Sequence, residues 1–131
     1  MTEAEAIRIM RKHIEGLFPK VCPKCQRRFA SLREYILATE PIGSTISYDV
    51  EIGDWTPSKP LGTAAVANCP CGTTLSLTSE GMSVVQMWRL LLWARGEMKQ
   101  RNLTGPQLLD YLRGEIRKQV LSEASDSATG A

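Results

Sequence analysis

The sequence predicts an α+β fold, in which a small antiparallel β element packs against N-terminal and C-terminal helices. Three observations predict it. Apolar residues recur at helical spacing over residues 3–17 and again over 83–121. The stretch from Pro41 to Ser79 is instead rich in Gly, Pro, Ser, Thr and β-branched residues. All four cysteines of the 131-residue chain fall in two pairs, V-C-P-K-C at 21–25 and N-C-P-C-G at 68–72.

Each element has its own signal. In the first helix Ala6, Ile9, Met10, His13, Ile14 and Leu17 share a side, and Thr2 with Glu5 forms a capping box, T-x-x-E. Gly16 and Pro19 end it. Ser31 with Glu34 opens a short helix, S-L-R-E-Y-I-L-A. Strands are expected at 45–52, 63–68 and 74–78, the first with Ile46, Tyr48, Val50 and Ile52 on one face. The segment G-D-W-T-P-S-K-P-L-G between the first two reads as a loop. From Ser83 a strongly apolar helix follows, with Val84, Met87, Trp88, Leu91 and Leu92 on one face, until R-N-L-T breaks it. Thr104 and Gln107 cap the last helix, and Pro106 sits in its first turn, where a missing N–H costs nothing. Leu108, Leu109, Leu112, Ile116 and Val120 make its buried face. After Leu121 no apolar periodicity remains, which predicts a disordered tail over 122–131.

Composition narrows the class. The apolar share of 43% suits a globular protein, and the longest apolar run, Leu90 to Ala94, is too short for a bilayer. The N-terminal stretch is charged throughout and shows no signal-peptide core. The expectation is a cytoplasmic, bacterial protein with no membrane contact. The net charge is +2, but residues 1–33 carry +5, 34–87 carry −5 and 88–131 carry +2. Four thiolates and one Zn²⁺ would bring the whole chain to about zero. The basic balance is therefore a weak argument for nucleic acid.

In a reducing compartment, paired cysteines are more often metal ligands than disulfides. A C-x-x-C pair sets two sulfurs on one tight turn, where backbone N–H groups offset their charge. Two such turns meeting head-on make a tetrahedral S₄ site. Proline fixes each turn, and Gly72 after the last cysteine permits a positive φ. Zinc suits such a site; iron also suits it, and disulfides or a redox dithiol are the remaining readings. A thioredoxin-like site needs a βαβ context that is missing. A c-type haem site needs a histidine where Gln26 stands.

With its C-P-x-C knuckle, its short strands and its C-P-C-G second knuckle, the stretch 21–78 resembles the zinc-ribbon and rubredoxin-like group. The second pair is one residue shorter than that group's usual pattern, and 43 residues separate the pairs. The resemblance implies that Cys22, Cys25, Cys69 and Cys71 ligate one structural Zn²⁺ per chain. Residues 1–121 would then form one zinc-stabilised domain, comprising the helix 3–17, a zinc and β region 20–80 and the helices 83–121. A closed S₄ site fastens and does not catalyse.

His13, the lone histidine, reads as half-buried or at the surface on the first helix. Asp49, Glu51 and Asp54 read as a carboxylate site or, more plainly, as the solvent side of a strand and its loop, and Trp55 as a core cap or a recognition residue. Lys20, Lys24, Arg27 and Arg28 surround the first knuckle, as a phosphate or nucleic-acid contact or as counter-charge for the metal centre. Trp88, Leu90, Leu91 and Trp93 make the helix at 84–98 apolar nearly all round, so it is either a core helix or the interface of a homodimer or partner. No catalytic constellation is visible. The expected function is a non-catalytic zinc-binding interaction or regulatory module that binds another protein or itself. A nucleic-acid-binding transcriptional regulator is the alternative, and a thiol redox or iron-binding protein the third reading.

Overall fold

The computed structural model describes residues 1–47 and 62–130, with side chains over 1–43 and 62–123. The fold is α+β. Its elements run α1 (Glu3–Glu15), β1 (Lys20–Val21), β2 (Arg28–Phe29), α2 (Leu32–Ala38), β3 (Glu40–Ser47), β4 (Thr63–Asn68), β5 (Thr74–Thr78), α3 (Val84–Arg101) and α4 (Gly105–Gly130). The strands β1 and β2 form a two-stranded hairpin. The other three form an antiparallel sheet in the order β3-β4-β5.

The helix starts follow the sequence signals. The Glu5 N–H donates to Thr2 Oγ1 at 3.2 Å, and the Glu34 N–H donates to Ser31 Oγ at 3.3 Å. At α4 the box is reciprocal: the Gln107 N–H donates to Thr104 Oγ1, and the Thr104 N–H donates to Gln107 Oε1. Ser83 caps α3 in the same way through the Gln86 N–H, an S-x-x-Q box that the sequence reading passed over. Asn102 ends α3 with φ 55°, in the left-handed region that asparagine tolerates.

The first strand begins earlier than the alternation at 45–52 suggests. It starts at Glu40 and includes Pro41, five and four residues ahead of the expected start. β3 is an edge strand, so the N–H that proline lacks need not enter the ladder. Its register to β4 shifts by two residues between Ile42 and Ile46, beside Gly43 at φ 61°. Tyr48, Val50 and Ile52 lie outside the described residues. The register of β4 and β5 places Pro41, Ala67 and Leu75 in one row and Ala65 with Leu77 in the next, all on one face of the sheet.

That face meets the helices. Leu108, Leu112, Ile116 and Val120 of α4 are all buried, in one core with Ile7, Phe29, Leu32, Tyr35, Ala67 and Leu75. Each fully buried side chain of this size contributes about 1.5–3 kcal/mol. The rings of Phe18 and Phe29 both stand edge-on to Tyr35, with centroids 5.6 and 5.5 Å away. A second cluster joins Ala6, Ile9, Met82, Met87 and Leu90, and Met10 and Trp93 bridge the two.

On α3 the buried side differs from the one read in the sequence. Met87, Leu90 and Leu91 face inward, while Leu92 is 61% exposed and Val84 42%. A helix this apolar offers two overlapping stripes, and periodicity alone cannot choose between them. The helix α4 continues to Gly130, through the segment that the sequence marks as a tail. Arg11 of α1 meets Glu123 there through its two terminal guanidinium nitrogens.

Candidate metal centre

Two hairpin turns carry the four cysteines. The first joins β1 to β2. Its Cys22 N–H donates to the Arg27 carbonyl at 2.9 Å, and its Gln26 N–H returns to the Cys22 carbonyl at 3.0 Å. The second joins β4 to β5. There the Cys69 N–H donates to the Thr73 carbonyl at 2.8 Å, and the Gly72 N–H returns to the Cys69 carbonyl at 2.8 Å.

The two turns share one plan with one residue removed. In each, the N–H of the residue after the last cysteine closes on the carbonyl of the first. In each, that following residue takes a positive φ, 65° at Gln26 and 94° at Gly72. The shorter C-x-C spacing thus builds the same kind of turn as C-x-x-C. Glycine at 72 was legible in the sequence. Glutamine at 26 gave no such signal; its amide Nε2–H donates to the Pro23 carbonyl at 3.1 Å.

The turns present their sulfurs to one another. Cys22 Sγ lies 3.7 Å from Cys71 Sγ, and Cys25 Sγ lies 3.7 Å from Cys69 Sγ. All four Sγ atoms lie within 4.8 Å of one another. A disulfide would need about 2.05 Å, and all four are free thiols. A tetrahedral ion with metal–sulfur bonds of about 2.3 Å has sulfur–sulfur edges of about 3.8 Å. Both close pairs match that edge, so the set can hold a metal ion.

The thiols are not equivalent. The Cys25 N–H does most to lower the pKa of Cys22; burial opposes it and the Lys24 N–H assists it. The Thr73 hydroxyl, then the Thr73 N–H, bring Cys71 down to about 6. Cys69 receives the Cys71 N–H, but burial and the neighbouring thiols outweigh it and push the thiol up to about 11. Thr73 is a contributor that the sequence reading missed. Its hydroxyl lies 3.2 Å from Cys71 Sγ. The signal available was a hydroxyl residue two places after the last cysteine.

The remaining candidates divide. Lys24, Arg27 and Arg28 are exposed around the first turn, and Lys20 is half-buried. The Arg27 guanidinium lies over the Phe29 ring at 5.7 Å. His13 is half-buried, as expected, with Nε2 3.0 Å from the Thr78 carbonyl, which ties α1 to the end of β5. Leu90 and Leu91 sit in the core of a single chain, with Trp88 and Trp93 half-buried beside them. The exposed apolar side chains of α3 are Val84, Val85 and Leu92. Asp49, Glu51, Asp54 and Trp55 lie outside the described residues. No described helix is long and apolar enough to cross a membrane.

No protein-family model, no curated protein and no solved structure matches the chain.

Proposed function

We propose that Cys22, Cys25, Cys69 and Cys71 hold one structural Zn²⁺ per chain in a zinc-ribbon-like centre. The protein is then a non-catalytic, cytoplasmic interaction module that this centre fastens. The observation that carries the reading is the pair of 3.7 Å sulfur contacts between the two turns. Four cysteine ligands fill a tetrahedral ion, so no position is left for water or substrate. The ion ties the β1–β2 hairpin to the three-stranded sheet, which places the helices around it. Contact with another protein is supported by the outward Val85 and Leu92, 69% and 61% exposed and seven residues apart on α3. Native mass spectrometry of protein purified without chelator tests the reading. One zinc per chain is expected. Iron, or no metal with four reactive thiols, overturns it.

A second reading rests on Lys24, Arg27 and Arg28, which stand exposed on one turn and make no ion pair among the described residues. They suit a nucleic-acid backbone. Salt-dependent retention on DNA or RNA, lost when these three are neutralised, would put this reading first.

A further inference from the structure

A cavity of about 370 Å³ lies between the inner face of the sheet and helices α1, α2, α3 and α4. Its volume falls within the range of small-molecule sites. At about 30 Å³ each, the share of one liquid water, it has room for roughly a dozen non-hydrogen atoms. Most of the wall is apolar, with Ala65, Leu77, Trp93 and Leu109 among its residues. The metal centre does not account for this space.

Two polar residues in the wall have hydrogen bonds left to give. Tyr35 is only 4% exposed, and its hydroxyl has no hydrogen-bond partner among the described residues. A buried hydroxyl without a partner is costly and uncommon in folded proteins. Burial raises its pKa, the nearby Arg113 lowers it and Cys69 raises it, with a net upward shift that keeps the group a neutral donor. Arg113 lines the same cavity, half-buried, and makes no ion pair among the described residues. An arginine has only donors, and a protonated tyrosine hydroxyl has one. A cavity with an apolar body and unspent donors beside it complements a ligand of opposite character.

We propose that this cavity binds an apolar molecule ending in a carboxylate, such as a medium-chain fatty acid. The hydrocarbon chain lies against the sheet and α3. The carboxylate meets Arg113. Charge selects the acid end, because an arginine and a carboxylate can pair in a fork. The apolar wall sets the chain length.

The test is calorimetric titration of metal-loaded, delipidated protein with dodecanoate and with 1-dodecanol. Saturable binding of one dodecanoate per chain is expected, with the alcohol about tenfold weaker or more, the loss of one charge-assisted hydrogen bond. Arg113→Met should bring dodecanoate down to the level of the alcohol. Ala65→Phe, which fills the space from the sheet side, should abolish binding of both, and it keeps the proposal testable if Arg113→Met fails to fold. The proposal is overturned by absence of saturable binding, by equal affinity for acid and alcohol, or by wild-type affinity in either folded variant.

Discussion

Cys22 and Cys71 lie 3.7 Å apart, sulfur to sulfur, although they stand 49 positions apart in the chain. Cys25 and Cys69 repeat the distance. Each close pair joins one turn to the other, so whatever the sulfurs hold joins a local hairpin to the sheet. Cys22 and Cys69 are buried at this junction, while Cys25 is exposed.

Replacing a buried member of this set should undo the junction. Cys69→Ala is expected to reduce bound zinc to well below one per chain and to lower the melting temperature. Structural zinc sites contribute about 10–16 kcal/mol of apparent binding free energy in small domains, comparable to the stability of a whole domain. Elemental analysis and a thermal melt on the same sample check this. Full metal with an unchanged melt would contradict it.

The second turn should be sensitive at Gly72, whose φ of 94° leaves no relaxed place for a side chain. Among the described residues no atom beyond its two chain neighbours stands within 4 Å of an added Cβ, so any loss comes from the backbone and not from crowding. Gly72→Ala is expected to cost about 1–2 kcal/mol. Gln26→Gly, at φ 65° in the matching place of the first turn, should cost less or stabilise. Denaturant titration of the two variants gives the comparison. A Gly72→Ala variant as stable as the parent would refute the shared turn plan.

Much of this was legible in the sequence because it depends on local chemistry. Thr2, Ser31 and Thr104 each cap the helix that their spacing announces, since a capping bond joins residues only three apart. The four cysteines were legible as one site because two proline-marked pairs hold every thiol in the chain. What sequence missed depends on long-range choice. Pro41 enters a strand because that strand is an edge, which only the sheet order reveals. Val84 and Leu92 were read on the buried side of α3 with Met87 and Leu91, and the tertiary contacts of Met87, Leu90 and Leu91 chose a different stripe. Glu123 reads as tail, yet it pairs with Arg11 across 112 residues.

The orientation of α3 yields a paired prediction. Leu91→Ala removes a fully buried side chain and is expected to cost about 2–5 kcal/mol. Leu92→Ala, at a position 61% exposed, should change stability by no more than about 0.5 kcal/mol. Equal losses in urea titrations would mean that the helix is turned differently or that another chain covers Leu92.

The Arg11–Glu123 pair should appear in the acid limb of stability. The Arg11 side-chain hydrogen bond does most to hold the Glu123 carboxyl below its ordinary value of 4.5; burial opposes it, and the Arg11 charge assists. A carboxyl with a lowered folded pKa contributes stability that is complete above its unfolded value. That share is lost as pH falls through the lowered folded value. Glu123→Gln should therefore narrow the stability difference between about pH 6 and about pH 3. Thermal melts across that range, in parent and variant, test it; parallel curves would contradict it.

The central claim is that a metal at the four cysteines holds the two turns together. Hydrogen exchange of the amides of Cys22, Gln26, Cys69 and Gly72, followed with and without a chelator, tests it most directly. These four N–H groups make the bonds that define the turns. The account predicts that protection at all four falls when the metal is removed and returns with one equivalent of zinc. Protection that is the same with and without metal would contradict it.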